Sequence, residues 1–511
     1  MSKTSPAPST TWARDVKTER THRDFAVIDV GSNSVRLVLY RVEGRAIWTV
    51  FNEKVLAGLG RDLPQTGRLS DHGVQIALAA LRRFRAVLDG VRPDEIFTAA
   101  TAAVRDARDG ADFVARVLAE TGLKIRIIAG QEEARLSALG VAAGQPGADG
   151  VVGDLGGSSL ELIRLSRGKP GAGITLPLGP FALGAPDHFD PDRVRAEVAR
   201  RLSKVARDYK GGCFYAVGGA WRNIALLNMS LVRYPLRIVH QYEMTPRDAL
   251  EAVRFVAGQS RSSLERIDGV SRKRAETLPF AALVMEGLIE RLELQRVVIS
   301  AFGLREGQIF EALPALTRKL DPLVEGCAAL GSRQGAVEEL GAALEAWLAP
   351  FWTKLGPVFE GKRDAVLLAA ACRLADLGAR LHPDHRAQLV FDQVLRAPIP
   401  GQTHAERAFL AVAIFTRHTS QPPPEPETVH RLLTPERLER ARILGMAMRL
   451  GCDLSGRSPP LLAAARLTLE KAQVVLSADR ANADLLLGEQ TAKRLASLAQ
   501  PLGLEPKLRT T

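Results

Sequence analysis

Two stretches of the chain share one order of polar and apolar positions. In each, a short apolar run ends in Asp, a turn of Gly with Ser or Asn follows, and a second apolar run leaves it. The first passes from Phe25 to Ile28 through Asp29-Val30-Gly31-Ser32-Asn33-Ser34 into Val35–Tyr40. The second passes from Val151 through Asp154-Leu155-Gly156-Gly157-Ser158-Ser159 into Leu160–Leu165. Apolar runs flanking such a turn predict a β-hairpin. A third strand is expected after each hairpin, at Ala46–Phe51 and near Ile174–Leu178. Beyond the first set, helical spacing at Val74–Leu88 and Phe113–Glu120 alternates with strands at Glu95–Ala99 and Ile125–Ala129. Beyond the second come a helix at Val194–Tyr209, a strand at Phe214–Val217, a helix from about Trp221, a long helix at Arg272–Leu292 and a strand at Val297–Ser300. A three-strand opening followed by alternating helix and strand thus occurs twice. It predicts a duplicated α/β fold with a ligand cleft between the halves.

From about Leu313 the strand signals fade, and stretches such as Ala365–Arg380 and Pro435–Arg449 are helical in period. This predicts a third, all-α domain over 313–511. Residues 1–24 are rich in Ser, Thr, Pro and charge, carry no apolar core of a secretory signal, and are expected to be a disordered tail. No apolar run approaches the ~20 residues that span a bilayer. The four cysteines, Cys213, Cys327, Cys372 and Cys452, form no C-x-x-C pair, and no histidine cluster completes a zinc site. Buried reduced thiols in a cytoplasmic protein are expected. The net charge of +12 suits a polyanionic ligand without specifying which. Aromatics at 5% argue against stacking surfaces for single-stranded nucleic acid, and no helix-turn-helix or zinc-finger signature is present.

The repeated turns carry the chemistry. Glycine lets backbone N–H groups approach a phosphate with no Cβ in the way, and Ser and Asn add donors. The expected phosphate-facing residues are therefore Gly31, Ser32, Asn33 and Ser34 in the first turn, and Gly156, Gly157, Ser158 and Ser159 in the second. An Asp at the mouth of such a turn repels phosphate unless a divalent cation lies between, so Asp29 and Asp154 suggest Mg²⁺ held partly through water.

These turns and three further segments resemble the exopolyphosphatase and guanosine-pentaphosphate phosphatase (Ppx/GppA) family. The first turn with Val35-Arg36-Leu37 resembles the family's D-x-G-S-N-S-x-R-L opening. Thr98–Ala107 is similar to its A-T-x-A-x-R-x-A segment, and Ile128–Leu136 to its I-S-G-x-E-E-A-R-L element. Asp154–Glu161 resembles its D-I-G-G-G-S-x-E loop, and Ser300–Gly307 its closing S-x-x-x-L-R-E-G. The resemblance covers about 25–312. It implies an actin-like ATPase (ribonuclease H-like) fold, with lobe I at 25–135, lobe II at 136–312 and a phosphate cleft between them. It also implies roles. Glu133 orients or deprotonates the attacking water, and Arg105 reaches the substrate's phosphates. Glu161 is a second carboxylate for water or Mg²⁺, and Asp154 is the first choice for the metal. Arg36 is the weaker match and fits a structural role as well.

Three departures stand out. Ser158 replaces a third glycine. The third phosphate turn, usually G-x-S-G-T, reads Gly218-Gly219-Ala220-Trp221-Arg222, which keeps the glycines Gly218 and Gly219 but loses the hydroxyls. Trp221 there is a core residue or a substrate contact. Ser300–Gly303 lacks the usual acid. The helical domain stands where longer family members carry an HD-like domain, but Cys372–Gly378 lacks the metal-binding His. A docking or dimerisation role follows, with a homodimer expected. The implied activity is removal of terminal phosphate from inorganic polyphosphate. Hydrolysis of guanosine pentaphosphate, or non-enzymatic binding of either ligand, are the alternatives.

Overall fold

The computed structural model describes residues 22–185, 189–267, 270, 272–334 and 338–511. The N-terminal tail expected over 1–24 lies outside them except for 22–24, which open the first strand. That strand, β1 (His22–Val30), pairs antiparallel with β2 (Val35–Glu43), which pairs with β3 (Ala46–Val55); β4 (Glu95–Ala100) joins parallel to β1. The sheet order is β3-β2-β1-β4. The helices Asp71–Val91 and Gly110–Thr121 cover one face through Leu78, Leu81, Phe84, Phe113 and Val117.

The same opening recurs in β5 (Gly150–Leu155), β6 (Leu160–Ser166) and β7 (Lys169–Leu176). With β8 (Cys213–Val217), β9 (Glu243–Met244) and β10 (Arg296–Ile299) they form a second sheet in the order β7-β6-β5-β8-β10-β9. The hairpin β5–β6 followed by the parallel strand β8 repeats β1–β2 followed by β4, as the hydrophobic pattern predicts. The helices Pro191–Ser203, Gly219–Leu231 and Leu278–Leu292 pack into one core with this sheet.

Two helices tie the sheets together. Gly130–Gly144 lies on β5, β6 and β7 with one side and on the helix Leu304–Ala312 with the other. Leu304–Ala312 in turn returns to the first sheet, where Ile309, Phe310 and Leu313 pack with Phe25, Val27, Val38 and Tyr40. The lobe boundary expected at 135 therefore falls inside a continuous helix. That helix gives little amphipathic signal because it packs on the sheet with one side and on a helix with another, which leaves only a narrow exposed edge at Gln131 and Arg135, and it has Ala and Gly where close approach is needed.

Other expectations need correction. Ile125–Ala129 is not a strand: it makes a single bridge, Ala100 to Ile127. The helix expected at Val194–Tyr209 ends at Ser203, and that at Arg272–Leu292 is interrupted between Arg272–Ala275 and Leu278–Leu292, where Pro279 sits in the first turn of the second piece. The region beyond 313 is helical as far as Ala463. It then adds a three-stranded sheet, β11 (Ala465–Glu470), β12 (Gln473–Ala478) and β13 (Glu505–Thr510), so the all-α expectation fails over that tail. β13 reads Glu-Pro-Lys-Leu-Arg-Thr and lies at a sheet edge, where its pattern carries almost no apolar alternation.

This C-terminal region shares its core with the first sheet. Ala46 and Trp48 of β3, together with Leu236, belong to the same apolar cluster as Leu323, Trp347 and Phe409. Arg333 pairs with Glu43, and the Tyr234 hydroxyl lies 2.8 Å from His404 Nδ1.

Candidate active site

The two turns are built alike. Gly31 N–H donates to the Ser34 carbonyl at 3.0 Å, and Gly156 N–H to the Ser159 carbonyl at 2.9 Å. The register places Asp29 opposite Arg36 in the first hairpin and Asp154 opposite Glu161 in the second. The duplication thus sets an Asp–Arg pair against an Asp–Glu pair. The turns also touch: a Cβ on Gly157 would stand 2.9 Å from Ser32 Cβ and 3.3 Å from Asn33 N. The third turn leaves β8 through Gly218, whose φ of +121° favours glycine and whose added Cβ would meet the Leu155 carbonyl oxygen at 2.6 Å.

A cavity of about 400 Å³ opens where the three turns meet. Its wall includes Asp29, Gly31, Ser32, Asn33, Ser34, Glu133, Asp154, Gly156, Gly157, Ser159, Gly218 and Gly219. Of the expected site residues, Ser158 and Arg105 face a neighbouring cavity instead, and Glu161 lies behind the wall.

Glu133 stands in the first turn of its helix and is only 7% exposed. Its Oε2 accepts a hydrogen bond from Arg105 Nη1 at 3.1 Å. Burial, reinforced by the Asp154 charge and opposed by Arg105, pushes its carboxyl up to about 8. Asp154 Oδ2 accepts from the Ser137 hydroxyl at 2.5 Å, and burial raises its carboxyl too. Glu161 is buried, and neither of its carboxylate oxygens has a hydrogen-bond partner. Burial first, then Glu133 and Asp154, push its carboxyl well above the usual range. Ser159 opposes that shift without meeting hydrogen-bond geometry.

Among the described residues no group of three or more His, Cys, Asp or Glu side chains is arranged to hold a metal ion. Mg²⁺ does not need one: it is usually bound by one or two carboxylates, several waters and substrate phosphates. The residues fit that pattern. Asp154 offers a hard oxygen in the cleft wall, and Glu161 behind it keeps two buried oxygens without partners. Asp29 is balanced by Arg305, 3.6 Å away, which suits it less to a cation. Asp154→Asn should therefore raise the Mg²⁺ concentration needed for half-maximal rate, since it removes a carboxylate while keeping the turn's shape. An unchanged Mg²⁺ titration would remove Asp154 from the metal site.

Cations line the rest of the cleft, and the sequence reading assigned them no role beyond a weak one for Arg36. Among the described residues they are Arg36, Lys54, Arg222, Arg274 and Arg305. They arrive from β2, β3, the Gly219–Leu231 helix, the short Arg272–Ala275 helix and the Leu304–Ala312 helix. Desolvation in the cleft wall, with Arg274, Arg36 and Arg222 nearby, pulls the amine of the otherwise exposed Lys54 down to about 8. Burial and the neighbouring arginines lower Arg222 to about 10. Nothing in the alternation of β3 marks Lys54, and Arg274 lies in a helix of four residues. Arg222 was visible as part of a departure: the guanidinium stands at the turn that lost its hydroxyls. Trp221 beside it is core, packed on Phe214 with its Nε1 donating to the Ala281 carbonyl at 3.0 Å.

A cleft between duplicated α/β lobes, where three glycine turns, buried carboxylates and cations converge, is the architecture of the actin-like ATPase fold. The sequence model of the Ppx/GppA phosphatase family matches residues 38–316, and that of the exopolyphosphatase C-terminal region matches 342–508. The chain belongs to the Ppx/GppA phosphatase family. The Aquifex aeolicus family member is 24% identical with a TM-score of 0.50, over 57% of this chain and 97% of its own. An exopolyphosphatase from Cytophaga hutchinsonii is 21% identical with a TM-score of 0.53, over 56% of this chain and 97% of its own. Both likenesses concern the fold.

Proposed function

We propose that the chain is an exopolyphosphatase that removes the terminal phosphate of inorganic polyphosphate. The observation that carries this reading is the composition of the cleft wall. Arg36, Lys54, Arg222, Arg274 and Arg305 line it, whereas among the described residues its one aromatic ring is the buried Phe181. Such a wall recognises a row of phosphates and offers little to read a nucleobase by stacking.

The residues then act as follows. The turn amides and hydroxyls of Gly31–Ser34, with Gly156, Gly157 and Ser159, cradle the terminal phosphoryl, and the five cations hold the phosphates behind it. Glu133 accepts a proton from a water aimed at that phosphorus, while Arg105 fixes the carboxylate's orientation. The water oxygen bonds to phosphorus, the bridging P–O bond breaks, and the shortened chain keeps its bridging oxygen. Positioning and charge neutralisation carry most of such a reaction. Mg²⁺, when held by Asp154 and substrate oxygens, supplies charge neutralisation there.

Phosphate release from long polyphosphate, tripolyphosphate, guanosine pentaphosphate and ATP, with Mg²⁺ and with chelator, tests the reading. Long polyphosphate should be preferred. Preference for guanosine pentaphosphate would make the chain a nucleotide phosphatase of the same family, and binding without turnover would make it a sensor.

The cations give a separate prediction. Lys54→Met should raise KM for long polyphosphate with little change in kcat, and should lower the slope of log KM against log salt by about one. A salt slope identical to wild type would place Lys54 out of contact with the substrate.

A further inference from the structure

Beside the cleft lies a second cavity of about 590 Å³. It is bounded by Arg105, Gln131, Ser158, Ser159 and Thr175, and Gln131 and Thr175 are exposed, so it opens to solvent. Ser159 lines both cavities. Between them stand Glu133, in the cleft wall, and Arg105, in the wall of the second cavity, joined at 3.1 Å. The sheet gives the same connection from beneath. Asp154 pairs with Glu161 across β5–β6, and Glu161 with Thr175 across β6–β7. Cross-strand partners share a face, so one row of side chains runs from the cleft floor, under the buried Glu161, to the second opening. The helix that carries Glu133 starts directly above this row: a Cβ on Gly130 would stand 1.9 Å from Thr175 Oγ1.

We propose that this second cavity is the exit for product orthophosphate, separate from the cleft through which the polyphosphate chain enters. The inference rests on the exopolyphosphatase reading. In an end-wise attack the terminal phosphoryl lies deepest, against Glu133, and the remaining chain fills the cationic cleft behind it. Orthophosphate can then leave by the front only if the chain leaves first. An opening beyond Glu133 removes that constraint and lets one chain be trimmed repeatedly without release.

Arg105 is placed to open the partition. Before the reaction its guanidinium is held by the Glu133 carboxylate and the Ile128 carbonyl, and its Nε by Asp106. The reaction moves one proton from water to Glu133. The neutral carboxyl attracts Arg105 less than the carboxylate did, while a new phosphate anion stands beside it. Arg105 turns with the phosphate into the second cavity, where Ser158 and Ser159 offer further polar groups. Glu133 gives its proton to solvent as the site refills.

The test fills the exit and leaves the cleft untouched. Gln131→Trp and Pro177→Trp place a bulky ring in the second cavity from two different segments, at exposed positions that line it and lie outside the catalytic and binding residues. Both full-length variants are compared with wild type on long polyphosphate and on tripolyphosphate, with gel analysis of chain lengths and thermal melting as a check of folding. If the exit is used, the plugged variants should lose about tenfold in kcat on long chains, as product release becomes limiting. They should also accumulate intermediate lengths where wild type leaves few, and keep most of their rate on tripolyphosphate, whose short remnant can leave by the front. Wild-type length distributions and rates in both folded variants would overturn the exit, and so would equal losses on long and short chains. A wild-type protein inactive on long polyphosphate would instead overturn the exopolyphosphatase reading, and the exit with it.

Discussion

Glu133→Gln should lower turnover on polyphosphate by about 10²–10⁴-fold, the usual contribution of a positioned general base, while binding of the polymer survives. The substitution keeps shape and an acceptor toward Arg105, and removes the charge and with it the capacity to take a proton. Binding survives because the groups that hold phosphate are elsewhere: the turn amides and the five cleft cations. Single-turnover phosphate release and equilibrium binding to the same polyphosphate would separate the two effects. Near-normal turnover would move the base to another group, and Glu161, buried beside it, is next in line.

The pH profile follows from the same geometry. Glu133 works as a base only when deprotonated, and burial with the Asp154 charge has raised its carboxyl to about 8. The kcat/KM of the wild-type protein should therefore fall toward acid, with an apparent midpoint near 8 at low Mg²⁺. That midpoint belongs to the interacting Glu133 and Glu161 pair and not to one residue. A cation on Asp154 offsets one of the charges that raise it, so added Mg²⁺ should shift this limb to lower pH. A limb fixed in position across a Mg²⁺ titration would separate Glu133 electrostatically from the metal site.

The parts legible in the sequence were those with a short local pattern. The two hairpins announced themselves because strand, Asp, glycine turn and strand stand within a dozen residues, and the structure gives them the same Gly-to-Ser backbone bond. Glu133 and Arg105 became candidates only through the family resemblance. Their pairing across 28 residues of chain depends on how the Gly130–Gly144 helix meets the end of β4. The cationic wall was illegible for a related reason. Lys54, Arg222, Arg274 and Arg305 stand on four separate elements, and only the folding of both lobes and their linking helices brings them together. The tail sheet was legible in part: β11 and β12 carry the apolar residues of a hairpin, whereas β13 is a polar edge strand that owes its conformation to β12 beside it.

Gly307→Ala should cost about 3 kcal/mol, the upper part of the range for overpacking a close contact, and most of the activity with it. An added Cβ would stand 1.9 Å from the Leu136 carbonyl oxygen and 3.1 Å from Gly140 N. Those are backbone atoms, so no rotamer change can relieve the contact and the two helices must separate. The reverse approach is equally tight, since a Cβ on Gly140 would meet the Gly303 carbonyl oxygen at 2.1 Å. This crossing fixes the cleft. One helix carries Glu133 and Ser137, which bonds Asp154; the other carries Arg305, beside Asp29, and Glu306, which accepts from Tyr40 and from Gly303 N–H. Pushing them apart moves the base of one lobe away from the arginine that faces the other. Gly90→Ala is the matching control. Gly90 lies near the end of the Asp71–Val91 helix with open space around its Cβ position, and the change should stabilise by about 0.4–1 kcal/mol through the unfolded chain. Thermal or denaturant unfolding of the two variants should thus move in opposite directions from wild type. If Gly307→Ala melted with wild type and kept its kcat, the helices would be free to slide, and their crossing would not be what holds Glu133 and Arg305 in register.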